Sequence, residues 1–298
     1  MRLLKDITDA IEQPIYEFGR PSLPIADMVY GSVMKVFTTF SLRRFMGDMQ
    51  EMITKEKNYV DCVPCYASVG HFLQRKDITP LLVKLVVLTS LPLTTVEKDF
   101  AIDSTGYGTN VFQRCFSFKY GKEINSRRWV KCHFITGVKT NIIAGVKITS
   151  EFDNDCPELP ELVNKTAEHF DMNDVVCDKV YLSQNNLELI DGHGATPHIP
   201  FKSNSKARGN GSVWKKMYYL FMLKNDDFLE HYHKRSNAKS TVQMIKAKFG
   251  DFVRSKTWTA QVNEVLCKII CHNICVVIQE MHELGKEPNF CVESHLSV

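Results

Sequence analysis

Two aspartates and one cationic stretch contain the residues best suited to chemistry. Asp103 lies near the end of the apolar-rich run DFAIDST (99–105), Asp178 ends DVVCD (174–178), and each precedes a loop. In open α/β sheets, ligand and metal sites gather at the carboxyl ends of strands. Two carboxylates meeting there suit a hard divalent cation such as Mg2+ or Mn2+. Two such ions about 3.5–4 Å apart serve the attacking and leaving oxygens in phosphodiester cleavage. A single strand-end aspartate also serves as a loop cap or a solvent-facing acid. The cationic stretch is YHKRSNAKSTVQMIKAKFG (232–250), where Tyr232, Arg235, Lys239 and Lys246 are spaced three, four and seven apart. On a helix those steps predict one narrow face with three cations, a phenol and no carboxylate. Such a face grips phosphates, meets solvent, or belongs to an active-site helix that lacks its acid.

The elements that must position these residues change character near residue 95. Residues 1–95 read as helical. An amphipathic stretch through Leu3, Leu4, Ile7 and Ile11 ends near Pro14, and GRPSLP (19–24) is a breaker. A helical pattern then runs from Ile25 to about Phe40, Ser41 could cap LRRFMGDMQEMI, and TPLLVKLVVLTS (79–90) reads as a buried helix. From residue 96 the first strand is followed by a hairpin, WVKCHFIT and NIIAGVKIT, turning at Gly137–Thr140. PELPELVNKTAEHF and QNNLELIDGHG read as helices, and ATPHIPF as a strand. A basic loop, KSNSKARGNGS, leads into a helical zone from Val213 to Phe249, and a long helical pattern runs from Thr259 to about Leu284. This order predicts an α/β fold, a mixed sheet flanked by helices. The expected division is a helical region over 1–95, a catalytic domain over 96–290 and a tail at 291–298.

Composition narrows the setting. No apolar run approaches the roughly 20 residues that cross a bilayer, and MRLLKDITDAIEQP carries acids where a signal peptide is apolar. Ten irregularly placed cysteines suit reduced thiols, so the expected setting is cytoplasmic, with no membrane partner. The net charge of +3 hides an asymmetry: residues 151–200 hold eleven acids and two bases, residues 201–260 thirteen bases and four acids. That basic excess is either a nucleic-acid footprint or the partner of the acidic segment. Within it Lys202, Lys206 and Arg208, beside Gly209 and Gly211, could grip a DNA backbone, and Trp214 and Trp258 either stack on bases or pack in a core. Cys267, Cys271 and Cys275, with His272, lie along one helical stripe that spreads thiols too far for one zinc tetrahedron. Cys62 and Cys65 lack a second ligand pair, and His133 reads as a core or surface residue.

In order, the chain resembles the insertion-sequence DDE transposases over roughly residues 96–285. The resemblance rests on AIDSTG around Asp103, CDKVYLS around Asp178, YHKRSNA before Lys239, and the C-terminal NEVLCKIICHNICVVIQ. It implies an RNase H-like core that cuts and joins DNA with two divalent ions, Mg2+ or Mn2+. It also implies double-stranded DNA partners, both terminal inverted repeats and target, a homodimer or higher multimer, and a nucleoid location. Asp103 and Asp178 would be metal ligands, with Tyr232, Arg235 and Lys246 on DNA phosphates or ordering the active-site helix.

Two departures stand out. Val180 occupies a position where the family usually has glycine or alanine, and a β-branched residue would crowd a tight turn. Lys239 stands where the family has its third carboxylate, in Tyr-x-x-Arg-x-x-x-Glu. Glu→Lys changes the local charge by two units. A unit charge about 4 Å away is worth on the order of 4 kcal/mol at an effective dielectric near 20, and twice that against a divalent ion. Glu230 cannot replace the acid on a regular helix, being half a turn out of phase and about 13 Å along the axis. The expectation is a folded, DNA-binding protein with impaired catalysis, or a catalytically dead one that occupies element ends and inhibits active copies.

Overall fold

A computed structural model describes residues 1–13, 22–55, 63–109, 129–209, 211–285, 287–288 and 290, without the side chains of 52–55. Pro14, most of the 19–24 breaker, Cys62 and the 291–298 tail lie outside them. In chain order the helices are α1 (Arg2–Thr8), α2 (Ile25–Thr38), α3 (Leu42–Lys55), α4 (Tyr66–Phe72), α5 (Ile78–Ser90) and α6 (Leu159–Ala167). There follow α7 (Gln184–Gly192), α8 (Val213–Leu223), α9 (Asn225–Tyr232), α10 (Ser236–Phe249) and α11 (Trp258–Leu284). The strands are β1 (Asp99–Gly108), β2 (Trp129–Gly137), β3 (Ile143–Thr149), β4 (Asp174–Cys177) and β5 (Thr196–His198). Two compact units result: Ser90–Gly106 with Trp129–Lys246, and the described parts of Met1–Thr89, Tyr107–Arg128 and Ala247–Val298.

In the first unit the sheet order is β3-β2-β1-β4-β5. β1, β4 and β5 are parallel in turn and β2–β3 is an antiparallel hairpin, so the sheet is mixed, as the sequence predicts. Side chains alternate across a strand. Phe100 and Ile102 of β1 and Val175 and Cys177 of β4 therefore share one face, buried against Leu159, Leu162 and Val163 of the α6 segment and Leu187 and Ile190 of α7. The alternate residues Asp99, Ala101 and Asp103, with Asp174, Val176 and Asp178, share the other.

The hairpin turn is tied down by a fully buried carboxylate. Glu97 accepts from the backbone nitrogens of Lys139 and Thr140. A Cβ on Gly137 would sit 2.3 Å from Glu97 Cδ. Gly137→Ala must displace that carboxylate and strip hydrogen bonds from a dry site, at a cost of about 3 kcal/mol in denaturant unfolding.

In the second unit α11 is the central helix. By length and composition it passes as a membrane span, which the sequence reading did not anticipate, yet 78% of its apolar window is buried. Its buried amides are hydrogen-bonded. Asn263 Nδ2 donates to Leu73 O and Arg75 O at 2.9 and 3.1 Å, and Asn273 Nδ2 to Val86 O at 3.2 Å. These bonds pin the α4–α5 region to α11 while satisfying groups that would otherwise be costly to bury. The Cys267 and Cys271 thiols are core groups, burial pushing Cys267 up to about 12.

Candidate active site

The register of β1 and β4 pairs Ile102 with Cys177. Asp103 and Asp178, each one residue further on, therefore stand side by side where the β1–β4 pairing ends. Asp178 follows β4 directly, but β1 runs on to Gly108, so Asp103 lies within its strand and not, as the sequence predicts, before a loop. Asp178 accepts from Lys179 N at 2.7 Å and caps the 3-10 turn Lys179–Tyr181. Val180 points out of that turn, 48% exposed, so its branched side chain crowds nothing. Asp103 accepts from Ser104 N at 3.0 Å.

Arg235 bridges the pair. Its Nη2 lies 3.6 Å from Asp103 Oδ2 and 3.2 Å from Asp178 Oδ2. Burial pushes the Asp103 carboxyl above its usual range, and the Arg235 charge opposes but does not cancel that push. Lys239 is exposed, and its charge also favours ionised Asp103. Tyr232 stacks on Phe228 at 5.9 Å, and burial raises its phenol.

The single helical face expected for the cationic stretch is not formed. Tyr232 ends α9, His233–Arg235 is a 3-10 turn, and Lys239 and Lys246 lie on α10. A 3-10 turn advances about 120° per residue against 100° in an α-helix, so three residues rotate everything downstream by roughly 60°. Lys246 lies where its charge acts on the buried Cys132 of β2. The structure thus gathers Asp103, Asp178, Arg235 and Tyr232, brings Lys239 within electrostatic reach, and places Lys246 beside β2.

As arranged, these residues do not fit a two-ion site. The carboxylates contribute two negative charges, Arg235 already pairs with both acids, and Lys239 adds a second positive charge. Among the described residues, the one group of three potential metal ligands is Asp174, His198 and His231, and it includes neither Asp103 nor Asp178.

That second group sits at the other end of the same strands and was not anticipated from sequence. His198 Nε2 and His231 Nδ1 meet the two oxygens of Asp174 at 3.1 and 2.6 Å, their rings stacked 4.7 Å apart. Lys234 Nζ lies 2.8 Å from Asp174 Oδ2 and 2.7 Å from Asp99 Oδ2, so a protein cation already occupies this position. Adjacent residues thus reach opposite ends of the β1–β4 pair, Lys234 to Asp99 and Asp174, Arg235 to Asp103 and Asp178. The available signal was an acid at both ends of the paired segment of both strands, matched by two consecutive cations.

The remaining candidates separate. Lys202, Lys206 and Arg208 are exposed in their loop and, like Lys239, make no ion pair within 4 Å among the described residues. Trp214 holds that loop, donating to Lys206 O at 2.9 Å, and packs edge-on against Phe201. Trp258 is 47% exposed at the start of α11. His133 is buried, with Nε2 2.8 Å from Thr149 Oγ1, a core role. Of the two readings of the charge asymmetry, pairing with the acidic segment holds in part: Lys216, Lys234 and Arg235 pair with Asp191, Asp174 and Asp178, and among the described residues the loop cations do not.

Fold and site define an open mixed-sheet α/β protein with a carboxylate pair where the β1–β4 pairing ends. A family model for the transposase DDE domain matches residues 95–274, more than half of the chain, and the chain belongs to that family. The chain has no match among the curated proteins. Among solved structures, a piggyBac transposase in a synaptic complex with hairpin DNA aligns with a TM-score of 0.46 at 10% identity, over 99% of this chain and 74% of that one.

Proposed function

We propose that this protein is a DNA transposase of the insertion-sequence type, with an RNase H-like core, whose metal-dependent cutting and strand transfer are impaired. The reading is carried by one arrangement: Asp103 and Asp178 are correctly adjacent, but Arg235 holds both and a lysine follows where an acid would complete the site. Asp103 and Asp178 would be the ligands of a divalent ion, Mg2+ or Mn2+, once Arg235 withdraws. Tyr232 and Arg235 order the segment that faces the pair. Lys202, Lys206 and Arg208, with Lys239 and Lys246, are the proposed contacts to DNA phosphates, where charge positions the duplex without reading its sequence. The DNA would be the element's terminal inverted repeats and its target, bound by a dimer or larger multimer in the cytoplasm, at the nucleoid.

A second reading, a DNA-binding protein that occupies element ends and inhibits active copies, is favoured by the loop cations that have no ion-pair partner among the described residues. One experiment addresses both. A supercoiled plasmid carrying the DNA that borders the reading frame is incubated with Mg2+ or Mn2+ and the unaltered chain or Lys239→Glu. The expected result is binding by both proteins, no cutting by the unaltered chain, and metal-dependent nicking by Lys239→Glu. Full cutting by the unaltered chain sinks the impairment, and failure of both to bind sinks the DNA reading.

A further inference from the structure

In the helical unit a shallow, half-open recess, with a volume of only about 20 Å3, is lined by Lys35, Thr39, Phe40, Phe249, Phe252 and Arg254, with Glu264 and Lys268 of α11. Two of these groups are committed to the chain between α10 and α11. Glu264 accepts from Arg254 N, Ser255 N and Ser255 Oγ, and Lys268 Nζ donates to Gly250 O and Phe252 O at 2.9 and 2.6 Å. Their burial is therefore explained. Lys35 is not explained. Its side chain is only 7% exposed, its nearest acid oxygen is Glu264 Oε1 at 3.9 Å, and among the described residues its ammonium donates no hydrogen bond. A cation taken from water ordinarily acquires hydrogen-bonding partners. Three cations against one carboxylate leave the lining with a surplus of two positive charges. Phe40 stands at the recess 41% exposed, and Arg254 lies over the Phe252 ring at 5.9 Å.

An under-bonded ammonium beside a guanidinium and an open aromatic ring has the chemistry of a phosphate site with a stacking platform. We propose that a nucleotide unit lies across the mouth of this recess, its phosphate turned in toward Lys35 and held at the rim by Arg254, and its base on the exposed ring of Phe40. The unit comes from a free nucleotide or from a DNA strand, and the second source rests on the transposase reading above. The electrostatics are consistent. Burial, and next to it Lys35, push the Lys268 ammonium down to about 8 against the pull of Glu264 and Asp251, with Arg254 also opposing it. An anion in the recess relieves that repulsion, so binding weakens as pH rises through about 8.

The test uses the full chain with deoxythymidine monophosphate by calorimetry and thermal shift, and with a single-stranded oligothymidylate by fluorescence anisotropy, at fixed ionic strength. Lys35→Met removes a poorly bonded buried charge and is expected to fold with an unchanged or higher Tm while losing affinity for the mononucleotide at least tenfold. Arg254→Gln and Phe40→Ala, at exposed side chains, are expected to weaken it roughly threefold to tenfold without loss of fold. A DNA source predicts that Arg254→Gln also lowers the salt dependence of oligonucleotide binding by about one phosphate contact. Mononucleotide binding without any DNA binding keeps the recess and removes the DNA reading. The proposal is overturned if neither probe binds the unaltered chain, or if Arg254→Gln and Phe40→Ala bind both as tightly as it does.

Discussion

Arg235→Gln is expected to destabilise the protein by about 2 kcal/mol near neutral pH and to create a response to divalent ions that the unaltered chain lacks. Removing the guanidinium leaves the Asp103 and Asp178 carboxylates on adjacent strands with no bridging cation. Breaking a buried pair by deleting one partner costs about 3–5 kcal/mol. The smaller figure applies here because the Asp178 side chain is 35% exposed and water screens it. Glutamine preserves most of the volume, so the loss reports charge rather than packing. The same vacancy invites a divalent ion. Mn2+ at ten times its dissociation constant would restore about 1.4 kcal/mol to the variant. Urea unfolding with and without Mn2+ reads both effects. A loss below about 0.5 kcal/mol, or equal Mn2+ responses in the two proteins, would show that Arg235 does not close the pair. Combining Arg235→Gln with Lys239→Glu should strengthen the Mn2+ response further, since it turns a near-neutral cluster into three carboxylates.

The sequence was legible where local pattern and tertiary position agree. The run before Asp178 is short, apolar and ends in an acid, as β4 does; the run around Asp103 was legible as a strand but not in its length, since β1 continues past the acid to Gly108. Their adjacency followed only from the order of elements, because pairing is a long-range property. The hairpin was legible through its alternation, but not the role of Glu97, which lies 42 residues from its partner Lys139. The helix assumed for Tyr232 to Lys246 failed for a reason absent from periodicity. Its first turn is held on the sheet by Lys234 and Arg235, and four acids distributed over two strands set where those cations must sit. The apolar character of α11 was underestimated because Asn263, Glu264, Lys268 and Asn273 read as polar interruptions. Each instead closes a specific bond inside the helical unit.

Asp174→Asn is expected to cost about 3 kcal/mol at pH 7, more than Arg235→Gln. Burial alone would raise the Asp174 carboxyl, but hydrogen bonds from His198, Lys234 and His231 overcome it and hold the group far below the usual carboxylate range. A carboxylate depressed in the folded state adds stability above its unfolded value of about 3.9, and that stability is lost as pH falls through the folded value. The gap between the two proteins should therefore be present at neutral pH and close in acid, as pH falls through the unfolded and then the folded value of Asp174. Asparagine can accept through its oxygen, but its amide places donors against the nitrogens that now donate to Asp174, leaving at least one buried group unpaired. The consequence reaches the other end of the strands, because Lys234 and Arg235 are consecutive residues of one turn. Loosening Lys234 lets Arg235 drift from Asp103 and Asp178, so part of its contribution is already gone in the single variant. Asp174→Asn with Arg235→Gln should then cost less than the sum of the separate losses, by about 0.5–1 kcal/mol. Strict additivity in a double-mutant cycle would mean that the two carboxylate pairs are anchored independently and that the turn does not couple them.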